Sequence, residues 1–451
     1  WTDASFKTYG TPLREPSPIE VKVGTKISQN FSLTLKNLDH QLKSFEANDE
    51  LIFLIKEKVI RNLPKIGLDE ASHDYPLNEK ELERLKVLNL SHQRINLNLY
   101  DPNYEAKFDQ SSKDAHKLGI NLEVALFLSN NAESELMAFL ELLEKIKPPI
   151  LTWLIFHKEE ITTSKKWILL ARKYLQKYDR NIKIGSGTNV LFTDLNRSTA
   201  SFEDMDLVCY SINPQVHAFD NLSLIETLSA QPETVKSARQ FSNNKFIAVS
   251  PITLKMRFNP FATSTETELK SNQLPSQVDV RQMSLFGAGW TVGSLKYLCE
   301  SEAYSLTYYE TTGWRGVMET QYGSPIPEKF YSFKESVFPL YHVFADVGEF
   351  ADGEIISTSS SNPLKINGLA INKEGQIRII LANLVSEVQQ LTVKNLGSSV
   401  NIRHLNESNI EEAMKSPETF RAQNFKKHVT ANGSLKLELL PYAIVCIDST
   451  K

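Results

Sequence analysis

Cysteine is nearly absent from this 451-residue sequence: only Cys209, Cys299 and Cys446 occur. An odd number of thiols, spread over distant segments that each read as strand or helix, argues against a disulfide framework. All three are expected as buried free thiols. No uninterrupted apolar run approaches the roughly 20 residues that a bilayer-spanning helix needs. An excess of charge of either sign is missing as well. The 50 Lys and Arg against 54 Asp and Glu leave a formal net charge of −4, too balanced to attract nucleic acid or an anionic membrane. H-E-x-x-H, C-x-x-C and G-x-S-x-G do not occur, which argues against zincin chemistry, zinc ribbons and a standard serine hydrolase. Nor does a G-x-G-x-x-G or G-x-x-x-x-G-K phosphate loop.

What is present is the composition of a soluble globular protein, 41% hydrophobic and 23% charged, with enough length for two or three domains. The chain begins at Trp1, with neither an initiator Met nor a leader, so upstream residues are expected to have been removed or left out. The expected compartment is the cytoplasm, with the periplasm as the alternative. Residues 1–38 carry alternating segments, Ile19–Val23 and Phe31–Leu35 among them, which read as the end of an amino-terminal β-domain that needs partner strands. Residues 39–87 read as a connecting segment.

From residue 88 to 352, short apolar strands alternate with amphipathic helices. The strands fall near Ile95, Val124, Ile150–Phe156, Ile182–Gly185, Leu207–Ile212, Phe246–Ser250 and Ala303–Glu310. Phe338–Val347 is either a last strand or the eighth helix. This pattern and its length predict an α/β fold, a (β/α)8 TIM barrel, with a doubly wound open sheet as the structural rival. Counted from Ile95, Glu310 ends the seventh strand and Asn189 follows the fourth. After residue 353 the helical period disappears, and Ile366–Ile371, Ile377–Leu381, Gln390–Val393, Leu435–Leu439 and Ala443–Ile447 predict a carboxyl-terminal antiparallel β-sandwich over 353–451.

Active residues of a barrel gather at the carboxyl ends of its strands. Polar residues cluster at those expected ends: His92, Arg94 and Asn96; His157 and Glu159; Asn189, Asp194, Asn196 and Arg197; Tyr210, Asn213, Gln215 and His217; Tyr308 and Glu310. A barrel core takes branched apolar side chains, so this set points to a shared ligand pocket, although each residue alone reads equally as a satisfied structural group. Glu310 has such an alternative in an ion pair with Arg315. His157 and Glu159 share a strand face but lack a third ligand, so neither a metal nor a cofactor is expected. Trp290, Tyr308 and their aromatic neighbours, beside carboxylates, Asn, Gln, His and Arg, suit a small carbohydrate, because aromatic faces stack on sugar rings. The oligomeric state is not legible.

Several strings carry a resemblance: Trp1–Tyr9, Gly187-Thr188-Asn189 with Leu195-Asn196-Arg197, Asn213-Pro214-Gln215-Val216-His217-Ala218-Phe219-Asp220, Arg257-Phe258-Asn259-Pro260 and Tyr309-Glu310-Thr311-Thr312-Gly313. Together they resemble the D-apionate lactonase family along nearly the whole chain, with Asp194 standing where the family pattern has Glu. The resemblance implies an amino-terminal β-domain, a central barrel, a carboxyl-terminal β-domain and hydrolysis of a branched-chain sugar-acid lactone. The barrel is also similar to retaining (β/α)8 glycoside hydrolases, whose catalytic carboxylates lie on strands four and seven. In the lactonase reading Glu310 or Asp194 acts as general base. In the glycosidase reading the two flank one bond. A non-catalytic sugar-binding barrel is the third possibility.

Overall fold

The computed structural model describes residues 20–30, 32, 34, 50–198, 201–260, 273–423 and 425–450. The chain divides into two units, Trp1–Asp49 and Glu50–Lys451. In the first, residues 20–30 run without a strand. The remainder of the expected amino-terminal strands lies outside the described residues.

The second unit begins with a departure from the expected connecting segment. Leu51–Asn62 is a twelve-residue strand, β1, and Lys65–Asp69 is β2. β2 is the first strand of a closed parallel barrel, which continues through β3 (His92–Asn98), β4 (Asn121–Leu128), β5 (Ile150–His157), β6 (Lys183–Leu191), β7 (Leu207–Ile212), β8 (Phe246–Ile252) and β9 (Ser305–Thr312). β9 pairs with both β8 and β2 and closes the ring, and a short β10 (Gly316–Met318) pairs with β9. An open doubly wound sheet is therefore excluded. With β2 counted, Glu310 lies on the eighth barrel strand, not the seventh, and Asn189 on the fifth, not the fourth.

The helices α1 (Glu79–Val87), α2 (Tyr104–Leu118), α3 (Ala132–Ile146), α4 (Lys165–Tyr178), α5 (Phe192–Arg197), α6 (Asn221–Glu226), α7 (Gln231–Phe241), α8 (Leu285–Cys299) and α9 (Pro339–Gly348) follow the strands. The expected last strand or eighth helix near Phe338–Val347 is thus the helix Pro339–Gly348, with Phe338 as its extended N-cap and Pro339 in its first turn, where a missing N–H costs no hydrogen bond. Among the described residues no helix is long and apolar enough to cross a membrane. Cys209, Cys299 and Cys446 are buried and unpaired.

The carboxyl-terminal strands are β11 (Glu354–Ser360), β12 (Ile366–Lys373), β13 (Gln376–Asn383), β14 (Gln389–Lys394), β15 (Ser399–Leu405), β16 (Lys426–Val429), β17 (Ser434–Leu439) and β18 (Ile444–Thr450), with α10 (Ile410–Lys415) and α11 (Pro417–Ala422) between β15 and β16. They form one sheet in the order β16-β15-β18-β13-β12-β11-β1-β14-β17. Phe53 of β1, Val393 of β14, Ile379 of β13 and Ile402 of β15 share one core, so the sheet folds back on itself as a sandwich. The pairing is antiparallel except between β1 and β14, which run parallel. Alternation along β12 and β13 serves two cores. Ala370, Ile379 and Leu381 face the sandwich, and Leu369, Ile371, Ile380 and Ala382 join the barrel core.

Charge reinforces that contact. Asp346 of α9 accepts a hydrogen bond from Arg403 of β15 and, at 2.8 Å, pairs with Arg421 of α11. Burial alone would raise the Asp346 carboxyl, but Arg403 and then Arg421 hold it far below the usual range. A depressed carboxylate contributes stability above its unfolded pKa and loses it as pH falls toward the folded value. Asp346→Asn is expected to cost about 3 kcal/mol at pH 7, because two buried guanidinium groups lose their shared anion. Urea unfolding should show this deficit shrinking between about pH 4 and pH 2.

Candidate active site

Strand alternation sends every second side chain into the barrel. On β3 these are His92, Arg94 and Asn96, and they do not fill the interior with apolar atoms. His92 sits at the amino-terminal start of its strand, near the floor. Its Nε2 lies 2.9 Å from Thr307 Oγ1 and 4.0 Å from Glu123, and burial lowers its pKa. Room for the ring exists because its neighbour is Gly67, where a Cβ would stand 2.4 Å from the imidazole. One layer up, Arg94 is 0% exposed. Its Nη1 donates to Ser250 O at 2.7 Å and Ser250 Oγ at 2.9 Å, while its Nη2 donates to Asn189 Oδ1 at 2.7 Å and Asn96 Oδ1 at 3.1 Å. Ser250 in turn donates to Glu123. A polar column therefore runs from the floor to the mouth. Near its top, Asn189 also accepts from Arg257 Nη2, through its carbonyl at 2.7 Å and its Oδ1 at 2.8 Å.

Glu310 reaches the mouth through a fault in its strand. Thr307 points inward, since its hydroxyl donates to Glu123 at 3.0 Å, and regular alternation would then put Tyr309 inside and Glu310 outside. The register instead pairs Leu68 with Tyr308 and Asp69 with Glu310, leaving Tyr309 as an extra residue with φ of +29°. Such a bulge bends the strand and re-aims the side chains beyond it, and positive φ in a bulky residue is a strained conformation. Both tyrosines consequently face the helices: Tyr308 OH lies 2.9 Å from Ser294 Oγ and Tyr309 OH 2.8 Å from Thr291 Oγ1, both on α8. Glu310 turns inward beside Asp69. The turn after β9 needs Gly313 at φ of +84°, and it brings Arg315 back to Glu310 at 2.9 Å.

The site is a cavity of about 660 Å³ whose wall includes Asp69, Glu70, His73, Tyr75, Arg257, Glu310 and Arg315. Glu310 accepts a 2.9 Å hydrogen bond from Ser72 N–H as well as the Arg315 pair. Burial still dominates: despite Arg315, and helped by the negative charge of Asp69, it pushes the Glu310 carboxyl up to about 7. Burial likewise raises Glu70, against the pull of Lys107 at 2.8 Å. His73 accepts from Tyr75 N–H on Nδ1 at 3.2 Å, so its Nε2–H donates to Thr312 Oγ1 at 2.9 Å, and burial lowers its pKa. The mouth thus combines a carboxylic acid poised near neutrality, a second carboxylate beside it and guanidinium groups on the same wall. That combination can take a proton from water and stabilise an anion.

The comparisons with known proteins agree on what kind of chain this is. Residues 66–352 match a family described as D-apionate lactonase, TIM barrel domain. The chain belongs to the D-apionate lactonase family. Residues 1–38 match that family's N-terminal domain and residues 363–447 its C-terminal immunoglobulin-like domain. A curated D-apionate lactonase from Brucella anthropi is 23% identical over 411 residues, 87% of this chain and 64% of the relative, so the chain spans under two thirds of that protein. Solved structures share the fold. A family 51 α-L-arabinofuranosidase from Bifidobacterium longum aligns with a TM-score of 0.61 at 11% identity, over 88% of this chain and 99% of its own. A GH30 endoxylanase from Clostridium papyrosolvens C71 aligns at 0.56 and 8%, over 89% and 100%.

Within this member of the lactonase family, the residues expected from sequence separate into three groups. Glu310 lines the cavity, as does Asn96, while Arg94 and Asn189 lie directly beneath and orient its wall. A second group faces the helices. His157 stacks on Trp167 at 4.3 Å, Tyr210 OH meets Thr234 at 2.8 Å, and Trp290 Nε1 donates to Leu224 O at 3.1 Å. Tyr308 belongs there too, through Ser294. The third group is peripheral to the cavity wall. Glu159 is exposed and accepts from Asn130, and Asp194, Asn196 and Arg197 sit on α5. Asn213 caps its own loop, Gln215 is held by Asp279 and Arg281, and His217 is exposed. The carboxylate in register with Glu310 is therefore Asp69, not Asp194.

Asp69, Glu70, His73 and Arg257 were not among the expected site residues. The signal for the first was the short run Lys65-Ile66-Gly67-Leu68-Asp69, an apolar strand ending in a carboxylate. Placement of the peripheral residues predicts that Glu159→Gln and His217→Ala keep kcat/KM within about twofold of the parent, the usual range for surface changes, in a steady-state assay.

Proposed function

We propose that this chain is a carbohydrate-active hydrolase that opens a sugar-acid lactone, D-apionolactone or a close relative. The observation that carries the reading is Glu310, turned into the cavity by the Tyr309 bulge and held near pKa 7 beside Asp69 and Arg315. In the ionised form Glu310 takes a proton from water as the water oxygen bonds to the lactone carbonyl carbon. Arg315 and Arg257 stabilise the resulting oxyanion. When the ring C–O bond breaks, Glu310 returns its proton to the leaving alkoxide, so lactone and water give the open hydroxy acid with no net change in the protein. No covalent intermediate is needed, and the near-neutral pKa suits a group that both accepts and donates.

Retaining glycosidase chemistry is the second reading, supported by two carboxylates in register at one mouth. The corrected strand count weighs against it, because Glu310 stands on strand eight and strand four ends in the outward-stacked His157. Asp69 and Glu310 also lie side by side on adjacent strands roughly 4.8 Å apart, instead of flanking a bond from two sides. Purified protein offered a panel of sugar lactones and aryl glycosides separates the readings. Release of acid from a lactone alone is expected, and aryl-glycoside cleavage without lactone hydrolysis would overturn the proposal.

A further inference from the structure

The cavity wall brings opposite charges unusually close. Glu310 shares that wall with Asp69 from β2, Glu70 and His73 from the loop after it, Lys107 from α2, Arg257 from the loop after β8 and Arg315 from its own turn, with Arg94 of β3 beneath, 3.9 Å from Asp69. Burial, and then the neighbouring charge of Arg94, lower the pKa of Arg257, as expected where cations crowd. Arg315 is held differently. Its one ion pair among the described residues is with Glu310, and that partner is poised to lose its charge near neutrality.

We propose that Arg315 and Arg257 form a carboxylate subsite for the open-chain sugar acid, and that Glu310 occupies Arg315 whenever the subsite is empty. This rests on the lactonase reading and extends it to product binding. When Glu310 takes the proton of the attacking water it becomes neutral, and its hold on the guanidinium weakens. Arg315 then passes to the oxyanion and next to the product carboxylate, formed when the new carboxylic acid releases its proton to solvent. Re-ionised Glu310 reclaims Arg315, repels the product carboxylate and drives release. Asp69 and Glu70 add repulsion from the same wall. The site therefore binds sugar acids best when Glu310 is protonated, and the ligand's own carboxyl, with an ordinary pKa of about 3.5, stays ionised throughout that range.

Calorimetric titration of the intact protein with a panel of open-chain sugar acids and their matching neutral alditols, at pH 5.5 and pH 8, tests this. At least one acid is expected to bind about tenfold or more tightly at pH 5.5, the effect of roughly one unit of coupled proton affinity. Its alditol should be indifferent to pH. In Glu310→Gln the acid should bind tightly at both pH values, and Arg315→Met should remove the preference for acid over alditol. Acid affinity equal at both pH values, or a pH dependence surviving in Glu310→Gln, would overturn the subsite. Acid binding of the expected form without hydrolysis of any lactone would instead sink the functional reading and leave the subsite standing, whereas lactone hydrolysis without any acid preference would do the reverse.

Discussion

Glu310→Gln is expected to lower kcat on the lactone substrate by at least about 100-fold, the lower range for losing general acid–base catalysis, while the protein stays folded. Gln keeps the shape and an oxygen that can accept from Ser72 N–H, so the loss isolates the proton transfer. Stability should move the other way. Glu310 ordinarily titrates near 4.5, and burial raises it to about 7 in the fold. The folded state therefore holds the proton more tightly than the unfolded chain does. That stabilisation is fully present below about pH 4.5 and is lost as pH rises through 7, on the order of 3 kcal/mol in all. The Gln variant avoids this loss. Denaturant unfolding should show it gaining stability relative to the parent between pH 5 and pH 8, and a constant difference across that range would contradict the assigned pKa.

Arg94→Met should have the largest effect on stability. Arg94 is wholly buried, spans three strands through Ser250, Asn96 and Asn189, and lies 3.9 Å from Asp69. Removing it leaves Asn96 Oδ1 and Ser250 O without that donor and takes the nearest positive charge away from Asp69. A broken buried charge network costs on the order of 4 kcal/mol. Activity should fall with it, since Asn189 holds Arg257 as well. Urea unfolding at pH 7 measures the first effect, and a variant within about 1 kcal/mol of the parent, a typical single-substitution cost, would show that the column is not structural.

Much of the architecture was legible because periodicity is a property of long segments. The seven strands from Ile95 to Glu310 and the β-rich carboxyl-terminal third read directly from alternation and helical repeats. β1 and β2 did not, and the cause is physical. Leu51–Asn62 belongs to a sheet whose other strands come some 300 residues later, and Lys65–Asp69 is five residues long with a glycine at its centre. Missing β2 shifted the strand count by one and hid Asp69. Side-chain direction was the second limit. Tyr308 looked like a sugar platform because an aromatic residue near a strand end carries no mark of which face it takes, and Trp290 because an apolar helix does not show which side meets the ligand. Glu310 is a candidate base from its place at a strand end, yet its inward aim depends on the Tyr309 bulge, which alternation alone would have reversed. Charged groups such as Arg257 and His73 come together only when distant loops meet at the barrel mouth.

If a near-neutral Glu310 carboxylate activates water against a lactone, its ionisation governs the pH dependence of kcat/KM for the best sugar lactone, corrected for spontaneous hydrolysis. A rise through a midpoint of about 7 that vanishes in Glu310→Gln is expected, because the base must be ionised in the free enzyme. A profile flat through that region, or the same midpoint persisting in the Gln variant, would contradict it.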